Sequence, residues 1–191
     1  MDGSYLTNPL AFLVQVLLGL YALVVVLRFL LQYLRADFYN PVSQFVVQVT
    51  DPALRPLRRL VSGWGGWDLA SLLLAWLVKA LELLLVVLIK GHGLHLFGPL
   101  LWALPELVAL GINIFLFAVL IQVIMSWLNP GGYNPALDLV ARLSEPLLTP
   151  ARRLLPPIGG LDLSPMLVMI GLVVLEMLIL PPLRALTGSP F

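Results

Sequence analysis

A run of 31 residues, 39–69, returns 94 positions later as 133–163 with 14 identities and no gap. Tyr39-Asn40-Pro41 is matched by Tyr133-Asn134-Pro135. Pro52, Pro56, Arg58 and Arg59 are matched by Pro146, Pro150, Arg152 and Arg153, and Gly65, Gly66 and Asp68 by Gly159, Gly160 and Asp162. The shared letters set backbone shape and charge, so two copies of one structural unit are expected, over 1–95 and 96–191. Any fold for this chain must serve both copies.

Around the repeated loops the sequence is almost entirely apolar. It is 60% hydrophobic and 11% charged, where a soluble domain carries about 25% charge. Four stretches, about 9–34, 69–90, 104–128 and 163–180, approach or exceed the roughly 20 apolar residues that span a bilayer. The first has no basic leader and no small-residue cleavage site after it, so it reads as a retained helix. The expected fold is an all-α membrane protein of four transmembrane helices, built as two two-helix repeats. Seven basic residues (Arg35, Arg55, Arg58, Arg59, Arg142, Arg152, Arg153) fall in the two long loops, and two (Lys90, Arg184) on the other side. That bias places both loops in the cytoplasm and both termini outside. Each half crosses twice, so the repeats run parallel.

The loops carry structure of their own. Asn40 suits an N-cap and Pro41 the first helical position, with Asn134 and Pro135 as their copies. Val42, Phe45, Val46 and Val49 then share one helical face, as do Ala136, Leu139, Val140 and Leu143. A short amphipathic helix lying in the interface is expected in each loop. Thr50-Asp51-Pro52 and Ser144-Glu145-Pro146 are expected to begin a second short turn, closed by the Arg pairs and the Gly-Gly turn. Asp68 and Asp162 stand where the next helices begin and suit N-caps, and Pro165 fits the first turn of the last helix. Tyr33, Tyr39, Trp64 and Trp67, with Trp127 and Tyr133, mark an aromatic belt. The Arg pairs, with Val42, Phe45, Ala136 and Leu139, are the candidate contacts for anionic headgroups and partner proteins. The proline frame before each pair orients it identically in both halves.

The doubled pattern of Asn-Pro, an acid before proline, Pro-x-Arg-Arg and Gly-Gly-x-Asp resembles the YggT family of small bacterial membrane proteins, which has plastid relatives. The likeness runs from about Leu10 to Leu180. It implies an integral protein of the bacterial plasma membrane with no established catalytic activity. It also implies links to envelope organisation and division, to osmotic tolerance, and in plastid relatives to cofactor attachment on a membrane cytochrome.

A few polar residues interrupt the apolar helices. Glu82 and Glu176 are equivalent in the repeat, and Lys79 lies one turn before Glu82, while its counterpart is Val173. They form either a polar clamp between the second and fourth membrane helices, with Lys79 serving both carboxylates, or a site responsive to protons or cations; Glu176 can also snorkel or be protonated. Arg28 reads as an arginine reaching back to the cytoplasmic surface, and Gln122, its counterpart, with Asn113 as interhelical hydrogen-bonding groups. His92 and His95 have ligand-like spacing but no second copy, and read as part of an outer loop. With no cysteine and no catalytic signature, no enzyme and no cofactor are expected, and a net charge of +1 argues against a nucleic-acid surface. The functional expectation is a scaffold or assembly factor binding anionic lipid, other membrane proteins or itself. The alternative is a small channel or transporter component using Lys79, Glu82 and Glu176.

Overall fold

Long runs of Leu, Val and Ala favour helices in lipid, because a helix satisfies its own backbone groups. The computed structural model describes residues 4–36, 38–61, 63, 66–91, 97–128, 134–155 and 162–190. These residues form six helices: α1 (Ser4–Tyr33), α2 (Pro41–Leu60), α3 (Leu69–Ile89), α4 (Phe97–Leu128), α5 (Pro135–Leu154) and α6 (Ser164–Thr187). Four of them, α1, α3, α4 and α6, are long and apolar enough to cross a membrane. The chain is a multi-pass membrane protein with no strand among the described residues.

Prolines account for most departures from the expected boundaries. α4 begins at Phe97, ahead of position 104, because Pro99 falls in its first turn, where a missing N–H costs little. α6 runs through Pro181 and Pro182 to Thr187. It then closes on Gly188, whose φ of 64° lets Ser189 N–H reach the Arg184 carbonyl. The expected short helix and separate turn of each loop are instead one continuous helix of 20 residues. Pro52 and Pro56 lie one turn apart on the exposed side of α2, as do Pro146 and Pro150 on α5. Their missing hydrogen bonds therefore fall together where water or headgroups can satisfy the carbonyls, and the helix survives.

In the first half α1 packs on α3, in the second α4 packs on α6, and α3 packs on α4 to join them. The main core holds Val25 and Phe29 of α1, Leu54 of α2, Leu74 and Val78 of α3, Ile114 of α4 and Leu143 of α5. α2 and α5 thus belong to the core and are not appended to it. α1 ends with Arg35 in the left-handed region, φ 52°, and Ala36 N–H bonded to the Leu31 carbonyl. That turn buries Ala36 beside Leu31 and Leu139 of α5. Among the described residues, α6 touches neither α1 nor α3.

Candidate functional site

A polar tie in each half, buried in the first and partly buried in the second, helps to place α2 and α5. Arg28, only 5% exposed, does not snorkel to water as expected. Its guanidinium donates to the Thr50 hydroxyl at 2.7 Å and the Val47 carbonyl at 3.0 Å, and it lies 2.7 Å from the Asp51 carboxylate. The Thr50 hydroxyl in turn donates to the Val46 carbonyl. α1 is thereby fastened to the middle of α2. In the second half Gln122 of α4 meets the Ser144 hydroxyl of α5. Gln122 and Ser144 are the repeat equivalents of Arg28 and Thr50, so the tie is conserved in position while its charge is not. Burial alone would raise the Asp51 pKa, but Arg28, helped by Arg55, holds it below its ordinary value.

A second lock fixes the far end of each loop helix. Arg58 pairs with Asp68, which also accepts from the Ser71 hydroxyl at 2.7 Å and caps α3 through Ser71 N–H. Burial pushes the Asp68 carboxyl up; Arg58 and Ser71 outweigh it and leave the pKa lowered. The copy is looser. Arg152 reaches Asp162 at 3.0 Å and Glu145 at 3.0 Å. The expected N-cap at Asp162 is displaced, and the capping position of α6 falls on Leu163. The reason is local: the equivalent of Ser71 is Pro165, which has no N–H to give, so Asp162 accepts from Ser164 N–H instead. The Ser164 bonds, more than Arg152, hold its pKa down.

Each Arg pair is therefore split. Arg58 and Arg152, each more than a third exposed, are paired with the aspartates, while Arg59 and Arg153 are exposed with no ion pair among the described residues. Leu60 and Leu154, the next residue in each copy, are exposed too. Val42, Phe45 and Ala136 are exposed on the same two helices. Leu139 is not available as a contact: it is 4% exposed, taken up by the α1 end-turn at Leu31 and Ala36. Asn40 caps α2 through Val42 N–H, and its amide donates to the Pro135 carbonyl at 2.6 Å, joining the starts of the two loop helices. Among the described residues, Asn134 makes only the local cap. An open groove of about 520 Å³ beside α5 is lined by Leu34, Arg142, Glu145, Thr149 and Arg153 among others.

Inside the membrane helices, Lys79 pairs with Glu82 at 3.0 Å. The second carboxylate oxygen of Glu82 is buried with no hydrogen-bond partner among the described residues, and a Cβ added at Gly19 of α1 would sit 3.7 Å from it. The expected clamp between α3 and α6 is absent: the two helices do not touch, since α4 packs against both. Glu176 is partly exposed and carries no ion pair among the described residues. Asn113 donates to its own helix at Ala109. A link that sequence reasoning missed joins Glu106 of α4 to Arg184 of α6 at 3.1 Å. Replacing Glu82 with leucine is expected to cost about 1–2 kcal/mol by stranding Lys79. Adding Lys79→Leu restores most of that loss, because an intact ion pair gains little over apolar packing. A double-mutant cycle of unfolding in mild detergent checks this; equal costs for the single and double variants would refute a local pair.

Phe29, Tyr33 and Trp67 cluster at centroid distances of 5.0–6.3 Å, Phe29 stacked on Tyr33 and Trp67 tilted against both, at the end of α1 where the belt is expected. Trp127 is exposed. Trp64, Gly65, His92, His95, Tyr133, Gly159 and Gly160 lie outside the described residues.

The model of the CCB3/YggT family matches the chain twice, over 7–89 and 101–183, with the 94-residue offset of the internal repeat. The chain belongs to the CCB3/YggT family. It is 46% identical over 187 residues to the uncharacterized protein PA0392 of Pseudomonas aeruginosa, covering 97% of this chain and 95% of that one. It is 41% identical over 188 residues to the uncharacterized protein YggT of Escherichia coli, covering 95% and 94%. A Vibrio alginolyticus protein, described as uncharacterized and in the proC 3′ region, is 40% identical over 167 residues, covering 86% and 90%. No solved structure matches.

Proposed function

We propose that this member of the CCB3/YggT family is a non-enzymatic membrane scaffold or assembly factor of the bacterial plasma membrane. It docks anionic lipid and partner proteins on the exposed faces of α2 and α5. Its loops lie in the cytoplasm and its termini outside, with the two halves inserted parallel, as the bias of basic residues favours. One observation carries this reading. In both halves the first arginine of the pair is held by an aspartate while the second, with the leucine beside it, is presented outward. A topology signal alone needs charge but no such split. The paired arm fixes the helix end, so the outward arm meets its ligand already oriented, which lowers the entropy lost on binding. The partners served are those of envelope organisation, division or membrane-protein maturation.

The transport alternative has the buried, unpartnered oxygen of Glu82 in its favour. Against it, Glu82 and Glu176 sit on helices that do not meet, so the two carboxylates form no direct pair within one chain.

The lipid half of the proposal is tested by quenching of tryptophan fluorescence with brominated lipid after reconstitution. Wild type is expected to prefer brominated phosphatidylglycerol over phosphatidylcholine. Each of Arg59→Ala and Arg153→Ala then lowers that preference by about 1 kcal/mol, or roughly fivefold. Thermal stability should be unchanged in both. A double variant that keeps the full preference would remove these arginines from the lipid site.

A further inference from the structure

The repeat makes a prediction about the two apolar faces that the fold leaves uncovered. Inside the chain the halves meet through α3 and α4. Trp76, Ala80 and Leu83 of α3 pack with Leu100 and Ala103 of α4, and the Trp76 indole N–H donates to the Leu100 carbonyl at 2.8 Å. In repeat terms this is the second membrane helix of one unit meeting the first membrane helix of the next. The equivalents of the α3 residues are Ile170, Val174 and Met177 of α6, and all three are exposed. The equivalents of the α4 residues are Leu6 and Pro9 of α1, exposed as well. α1 and α6 do not touch, so the step that joins the two halves is not repeated within the chain.

We infer that α6 of one copy packs on α1 of a second copy, reproducing between chains the α3–α4 contact found within each chain. Two observations favour a second copy over lipid alone. The exposed faces are the images of an interface this sequence already forms, so the register and the neighbours are specified on both sides. Ile170, Val174 and Met177 also line a wholly apolar groove of about 540 Å³ together with Met166, Met169 and Val123, where a facing helix can insert. Methionine suits such a seat, since its unbranched chain refits to irregular partners. The contact is head-to-tail, giving a ring if the rotation closes and an open row in the membrane plane if it does not. It requires the copies to be inserted in the same direction. It is independent of the lipid and partner roles of Arg59 and Arg153.

The chain has no cysteine, so the test starts from the wild-type sequence. Pro9→Cys and Val174→Cys, the images of Ala103 and Ala80, are placed in one chain, and native membranes are treated with a short bismaleimide. The expected result is a ladder of dimers, trimers and higher species from the double variant. Either single variant remains monomeric, because a head-to-tail contact never brings identical positions together. Co-expression of the two single variants should give dimers that stop there. No ladder from the double variant, in a protein that melts like wild type, means these faces meet only lipid and overturns the inference. Comparable ladders from the single variants indicate a two-fold contact or random collision and overturn it equally. Adding Arg59→Ala and Arg153→Ala should leave the ladder unchanged, which separates this outcome from failure of the docking proposal.

Discussion

Arg28→Ala is expected to destabilise the folded chain by about 3 kcal/mol, the lower end of the range for breaking a buried ion pair. The lower end applies because the Asp51 side chain is about a quarter exposed and keeps Arg55 as a second, weaker neighbour. What is lost is the fastening of α2 to α1, together with the donor to Thr50 and to the Val47 carbonyl. The molecule supplies its own control. Arg28→Gln copies the second half, where Gln122 meets Ser144, and is expected to cost about 1 kcal/mol by keeping one hydrogen bond to Thr50. Unfolding in mild detergent, followed by circular dichroism, measures both. Near-wild-type stability for Arg28→Ala would mean that the residue only reaches for the surface.

Asp68→Ala follows with a cost of about 2–3 kcal/mol, combining a lost helix cap with an arginine deprived of its acceptor. Asp162→Ala, at the equivalent position, should cost about 1 kcal/mol, since that site is more open and its cap bond to the third residue is already missing. The same geometry gives a pH dependence with a definite sign. The folded-state pKa of Asp68 lies below its ordinary 3.8, so the ionised carboxylate stabilises the fold. That contribution is fully present above 3.8 and is lost as pH falls through the lowered folded value. Asp51, also lowered, adds in the same direction. Acid melts of wild type should therefore fall more steeply below pH 4 than those of Asp68→Asn. Parallel acid profiles for the two would contradict the role given to Arg58 and Ser71.

Much of this architecture could be read from the letters alone because the repeat is gapless and the membrane helices are long. The Asn-Pro starts of α2 and α5 and the apolar spans needed only local chemistry. What stayed hidden depended on pairs far apart in the chain. Arg28 looked like a surface-seeking arginine because its acceptors lie 19 to 23 residues away, on a helix that the sequence broke at Pro52. Once α2 is continuous, Thr50 and Asp51 come into reach. Leu139 looked exposed because the end-turn of α1 is built on an arginine, Arg35, where glycine is the usual signal. The split of each Arg pair needed the position of the following aspartate in space. The clamp imagined for Glu82 and Glu176 failed because position in a repeat does not say which copies of a helix face each other. One signal was only half read: Arg28 and Gln122 are counterparts, and Thr50 and Ser144, polar at one shared position of the loop helices, are their matching partners.

The central claim is that α2 and α5 are bolted in place so that Arg59 and Arg153 meet a partner. Site-specific photo-crosslinking in living cells tests it most directly, with a photoreactive residue at exposed Leu60, at exposed Leu154, and at exposed Leu17 as control, so that Arg59 and Arg153 are kept. Discrete protein adducts are expected from 60 and 154 and not from 17. They should be lost when Arg59 and Arg153 are changed to alanine at equal membrane abundance. Only lipid adducts at all three positions, in a protein that folds and inserts normally, would contradict it.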